Sequence, residues 1–171
     1  MKSLLLTVCV SFLLVAGYAQ KNLVINGGFE DELFGWNENG ARVTPWNIKS
    51  GKSSCAIVTT NTDKWVGIDQ VLSIPKKAHS VEFSAWLKTI NVVKGKDDWN
   101  GALFTVVFLD VRDKEMSPGV NIASITGDRE WQLSKKTITM PEKAASFKIL
   151  LAMGFASGTM LVDDGTAKVV D

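Results

Sequence analysis

Cysteine, histidine and tyrosine are almost missing from this sequence. The 171-residue chain has two cysteines, one histidine and one tyrosine. Cys9 lies in an apolar leader, so Cys55 alone survives its removal, no internal disulfide can form, and stability has to come from packing or an ion. The only histidine, His79, falls in a Lys76-Lys77-Ala78-His79-Ser80 turn, which gives Cys55 no base and the chain no histidine cluster for zinc. Neither charge sign prevails: Lys+Arg 19 stand against Asp+Glu 18. That balance argues against a nucleic-acid or other polyphosphate partner. Also absent are a Gly-x-Ser-x-Gly elbow, a phosphate-cradling glycine loop and a dinucleotide fingerprint. There are four prolines, three in turns (Pro75, Pro118, Pro141) and Pro45 in an early loop, and no linker or repeat divides the chain.

What is present begins with a leader. Met1-Lys2-Ser3 is a short basic start, residues 4–16 are apolar apart from Thr7 and Ser11, and Gly17-Tyr18-Ala19 offers small residues ahead of a cut at Gln20. This is the layout of a secretory signal peptide over 1–19, and the run is short for a membrane span. The expectation is export, to the outside or to a periplasm, with no stable membrane insertion. Residues 20–171 then form one domain, since a chain of this size buries one core.

Short stretches of strand-like length or composition follow at 54–58, 66–74, 81–88, 103–112, 131–139, 145–153 and 159–170. Val81, Phe83, Ala85 and Leu87 alternate with Glu82, Ser84, Trp86 and Lys88, and the same period runs through Phe147, Ile149, Leu151, Met153 and Phe155. No long stripe of helical period appears, so the reading is an all-β sandwich of two antiparallel sheets, with short helical turns near 30–33 or before Asp128. Cys55, in Ser54-Cys55-Ala56-Ile57-Val58, reads as a buried free thiol on a strand. The longest interruption, 91–101, holds Lys94-Gly95-Lys96-Asp97-Asp98-Trp99-Asn100-Gly101, a natural place for a binding lip.

Asn22-Leu23-Val24-Ile25-Asn26-Gly27-Gly28-Phe29-Glu30, followed by Gly35-Trp36, resembles the opening of the CenC-type carbohydrate-binding modules. Gly51-Lys52-Ser53-Ser54-Cys55 is similar to the family's next patch, with Cys55 where leucine is usual. Gln70-Val71-Leu72 and the 81–88 stretch resemble its paired central strands, Trp131 with Thr137-Ile138-Thr139 and Pro141 its penultimate region, and Gly158 to Asp164 its closing strand. Two departures are Gly165 in place of the usual valine and a turn before Val81 that lacks the common Pro-Gly. The resemblance covers nearly all of the chain after the leader and implies a galactose-binding-like jelly roll. It identifies the scaffold better than the ligand, because most matching residues are core and turn positions.

The resemblance also implies a structural calcium ion between the chain's opening and its last strand. Glu30 and either Asp163 or Asp164 would supply carboxylates, and backbone oxygens near Gly28 and Lys52 would complete a hard-oxygen shell. The bland alternative is that Glu30 caps a turn and the aspartates face solvent.

The sequence has six tryptophans. Pyranose C–H faces stack on aromatic rings while their hydroxyls need polar side chains at the edge. Trp36 and Trp131 read as packing. Trp86 shares the polar face of its strand, which makes it the expected floor of a sugar groove. Trp65 or Trp99 is its wall, and Gln70, Asp110 and Arg112 its hydrogen-bonding groups. The partner expected is an oligo- or polysaccharide. The alternative is an adhesion or assembly module contacting a protein or a cell surface. A glycosidase needs two carboxylates about 5–10 Å apart, and the distinctive acids here are already assigned to calcium, so the expectation is a protein that binds without catalysing.

Overall fold

The computed structural model describes residues 20–116 and 118–170, so the signal-peptide expectation for 1–19 lies outside the described residues. In chain order the strands are β1 (Asn37–Asn39), β2 (Ala41–Thr44), β3 (Ser54–Thr59), β4 (Trp65–Ser73), β5 (Ser80–Lys94), β6 (Gly101–Leu109), β7 (Val120–Ile125), β8 (Gly127–Thr139), β9 (Ser146–Gly154) and β10 (Ala156–Val169). They form a jelly-roll sandwich of two five-stranded antiparallel sheets, one ordered β1-β4-β9-β6-β7 and the other β2-β3-β10-β5-β8. No helix occurs among the described residues: the 30–33 stretch is a hydrogen-bonded turn, and Asp128 lies inside β8.

Period-two patterning builds the core. Val81, Phe83, Ala85 and Leu87 of β5 point inward and are buried, as are Phe147, Ile149, Leu151 and Met153 of β9. The sheets meet through such pairs as Phe83 and Phe147, whose rings cross edge to face at 4.9 Å. Phe155 breaks the β9 period. It sits between β9 and β10 with φ of 49°, and its ring joins aromatic side chains outside the core instead of continuing the inward stripe. Cys55 is a fully buried free thiol, and desolvation pushes its pKa up to about 12.

The opening segment is tied to the last strand. Asn22 Oδ1 accepts the Ala167 N–H, Leu23 N–H donates to the Ala167 carbonyl, and Gly165 N–H donates to the Gly27 carbonyl. A side chain at Gly27 would overlap the Gly165 carbonyl, so this position demands glycine. Asn26, at φ of 50°, staples the following turn through its amide, which donates to the carbonyls of Asp31 and Glu32 and accepts the Asp31 N–H. Trp36 closes the segment in the core, 5.6 Å from Phe29.

One expectation about strand neighbours fails. β4 and β5 are not paired: they lie in opposite sheets, β4 between β1 and β9, β5 between β10 and β8. This crossing decides which tryptophans can meet.

Candidate functional site

Register places the outward side chains of the β1-β4-β9-β6-β7 sheet in rows. Trp65, Gly154 and Gly101 form one row; Asn39, Gly67, Ala152, Leu103 and Ser124 the next; Asn37, Asp69, Leu150, Thr105 and Asn121 a third. Small residues in the first two rows leave room for large rings to lie down on the sheet. A side chain at Gly154 would collide with Leu103 and press on Trp65.

Trp65 and Trp99 stack there, with centroids 6.1 Å apart and planes 26° off parallel. Phe155 meets both edge-on, at 6.0 Å from Trp65 and 5.7 Å from Trp99. The loop carrying Trp99 is held by the Ser124 hydroxyl, which donates to the Trp99 carbonyl. Trp99 remains 47% exposed, high for a ring with two aromatic neighbours. Beside the pair runs an open groove of about 420 Å³, bounded by Trp65, Trp99, Leu103, Thr105, Asn121 and the Pro118-Gly119 turn. On the same face the polar groups are partly braced: Asn37 Nδ2 donates to Asp69 Oδ2 at 3.0 Å, and Lys148 pairs with Glu115 at 2.8 Å.

The other expected groove residues are elsewhere. Trp86 does point outward, opposite Phe83, but from the β2-β3-β10-β5-β8 sheet, so it cannot be the floor to a wall made by Trp65 or Trp99. It lies in register with Leu133 and Asp163, and Lys49 Nζ sits 4.2 Å above its ring. The surrounding outer face carries ion pairs, Lys88 with Glu130 and Glu82 with Lys135. Gln70 points inward. Its buried amide accepts the Ile25 N–H and donates to the Ile25 and Gly35 carbonyls, anchoring the opening segment. Asp110 and Arg112 lie in the turn after β6, at the end of that strand remote from Trp99, where Asp110 Oδ1 accepts the N–H groups of Arg112 and Lys114. The structure therefore brings Trp65 and Trp99 together and leaves Trp86, Gln70, Asp110 and Arg112 out of their groove.

Sequence reasoning missed Leu103, Thr105, Asn121 and Phe155. Leu103 and Thr105 share parity on β6, a usable signal, but Asn121 belongs to a six-residue edge strand in which only Val120 and Ile122 mark the alternation. Trp46, in the β2–β3 loop, is 74% exposed and was likewise not singled out.

The residues expected around calcium do gather at one end of the sandwich. Asp163 is fully buried; its Oδ2 accepts the Lys49 and Ser50 N–H groups and its Oδ1 the Asp164 N–H. Glu30 Oε1 accepts the Lys52 and Ser53 N–H groups, and the Ser50 hydroxyl donates to Asp164 Oδ1. A methyl group at Gly28 would stand within about 4 Å of the Glu30, Asp163 and Asp164 side chains alike. Burial pushes the Asp163 carboxyl above its ordinary range, against the pull of its three backbone donors. Among the described residues no lysine or arginine ion-pairs with these acids. Nor do three or more acidic, histidine or cysteine side chains close on one point as a metal-holding group. The donors are the hard oxygens calcium takes, and an ion here would need backbone carbonyls as well as carboxylates.

No protein-family model and no curated relative matches the sequence. Solved structures do. The chain is similar to the enzymatically active domain of bacteriophage CBA120 tailspike protein 4, at TM-score 0.72 and 12% identity over 87% of this chain, though it spans only 21% of the tailspike chain. It is similar over nearly their whole length to the CBM22-1 xylan-binding domain of Paenibacillus barcinonensis Xyn10C (TM-score 0.63, 22% identity, 91% of this chain and 99% of that one) and to TmCBM61, solved with β-1,4-galactotriose (0.56, 16%, 88% and 99%). These likenesses span several module families instead of singling out the CenC type. The fold is the jelly-roll sandwich that these carbohydrate-binding modules share.

Proposed function

We propose that this chain is an exported, non-catalytic carbohydrate-binding module that holds an oligo- or polysaccharide in the groove beside Trp65 and Trp99. The observation that carries the reading is the open stacked tryptophan pair on the outer face of a sheet, next to Thr105 and Asn121. An indole supplies a flat apolar platform for a sugar's C–H face, and the neighbouring hydroxyl of Thr105 and amide of Asn121 receive its hydroxyls. The module folds similar to this one include a xylan-binding domain and one solved with a galactotriose, which supports a glycan as ligand class. A structural calcium ion held by Glu30, Asp163 and Asp164, with backbone oxygens of the Gly28 and Lys52 neighbourhoods, belongs to the same reading. It would fix the chain's opening and the β2–β3 loop against the last strand.

The test is a calorimetric or tryptophan-fluorescence titration against soluble plant, algal, fungal and host polysaccharides, with and without calcium. A saturable response to one class, with a shift in indole emission, is the expected result. Silence across the whole panel would leave the adhesion or assembly reading in its place.

A further inference from the structure

Trp99 also borders a second cavity. The volume is about 400 Å³, bounded by Thr62, Asp63, Lys96, Asp97, Asn100 and Phe155 together with Trp99 itself, and it falls in the size range of small-ligand sites. Trp99 is thus a wall common to this loop cavity and to the groove beside Trp65. Its loop is pre-shaped: Asn100 N–H donates to the Asp97 carbonyl, and Asn100 Oδ1 accepts the Asp97 N–H at 2.9 Å. Asn100 is 1% exposed, yet its Nδ2 has no hydrogen-bond partner among the described residues. A buried donor left unmade costs about 1–3 kcal/mol, so a donor of this kind in a cavity wall points to an acceptor that arrives with a ligand. Asp63, Lys96 and Asp97 are exposed and form no ion pair among the described residues.

We infer that the loop cavity is a second sugar subsite, continuous in use with the groove: a glycan lying against Trp65 passes Trp99 and places a further unit over Phe155, within reach of Asp63, Lys96, Asp97 and Asn100. The inference rests on the carbohydrate reading and extends it to chain length and sugar class. A hydroxyl both donates and accepts, and this wall offers both: carboxylates to receive its proton, Lys96 and Asn100 to donate to its oxygen, and Thr62 to do either. Two carboxylates face a single lysine here, and none of the side chains bounding the groove beside Trp65 is charged. That balance repels uronates and sulfated sugars and selects a neutral glycan.

The test is calorimetry with neutral β-1,4-linked xylo-, gluco- and galacto-oligosaccharides of two to six units. The wild type is set beside the Asp63→Ala/Lys96→Ala double variant and two groove variants, Trp65→Ala and Asn121→Ala, with the fold of each checked by circular dichroism. Expected is a gain of about tenfold in wild-type affinity once the chain outgrows the groove, the worth of one or two net hydrogen bonds. The loop double variant should lose that gain and keep the affinity for the short sugars. A double variant with the full gain overturns the loop subsite and leaves the groove standing. Groove variants that bind every length as the wild type does overturn the groove reading itself. Tighter binding of oligogalacturonate than of the neutral series overturns the neutral assignment.

Discussion

On the outer face of one sheet, two tryptophans lie against each other beside open volume; on the outer face of the other, a single tryptophan lies under a lysine. Trp65 and Trp99 stand over glycine and alanine positions, with Thr105 and Asn121 bounding the groove beside them. Trp86 stands among charged pairs and beneath Lys49, whose backbone N–H is itself held by the buried Asp163. Both faces carry outward indoles, so parity alone does not make a binding surface. What separates them is what covers the ring: on the first face only other aromatic rings, on the second a cation fixed by its own loop. A sugar can share the first surface, whereas on the second it would have to displace an interaction worth about 0.5–1 kcal/mol at exposed sites.

The strongest way to break this comparison is to remove one ring from each face. Trp99→Ala is expected to weaken glycan binding by about 2 kcal/mol, roughly thirtyfold, because aromatic anchors in the centre of a contact carry most of its free energy. Trp86→Ala is expected to leave the affinity within twofold. Parallel titrations of the two variants with the same polysaccharide decide it, and a larger loss from Trp86→Ala would invert the assignment of faces.

Much of this fold was legible in residues, and the site only in part. Val81 to Leu87 and Phe147 to Met153 state their buried faces by alternation, and the Asn26-Gly27-Gly28-Phe29-Glu30 motif marks a turn whose amide staple the structure contains. Cys55 in an apolar strand was readable as a buried thiol. Not legible were β1, β2 and β7, short edge strands: Asn37-Glu38-Asn39 has no apolar residue, and the other two are too short for an alternating pattern to stand out. Alternation says that Trp86 faces out, but the expectation put Gln70 in the groove where the structure turns it inward, and alternation does not say which sheet each strand joins. Two strands consecutive in sequence go to opposite sheets in this jelly roll, and that long-range choice separated Trp86 from Trp65. Phe155 escaped for a different reason, since one positive φ at the β9–β10 bend reverses the direction that period two would give it.

Calcium sharpens the comparison from beneath the second face. Asp163, Glu30 and the loop that bears Lys49 converge there, so an ion would rigidify the cover over Trp86 and leave the Trp65 groove untouched. Saturating calcium at about 100 times its dissociation constant adds about 2.7 kcal/mol, and a domain of this size gains about 2–4 °C of Tm per kcal/mol. Thermal unfolding with calcium should therefore come about 5–10 °C above unfolding in a chelator, and Glu30→Gln should erase the difference. Equal Tm values in the two buffers would remove calcium from this site.

The smallest effect tests the cover alone. Lys49→Ala deletes the ammonium above Trp86 but keeps the backbone N–H that donates to Asp163, so the loop retains its anchor. The loss should be about 0.5–1 kcal/mol, a Tm drop of roughly 1–4 °C, with a change in Trp86 emission as its face meets water. Glycan affinity should stay unchanged, because the freed indole still lacks what Trp65 has: a neighbouring ring and an open groove with Thr105 and Asn121 at its edge. If Lys49→Ala instead creates or strengthens glycan binding, the cation was masking a second platform. The two faces would then differ by one side chain and not by architecture.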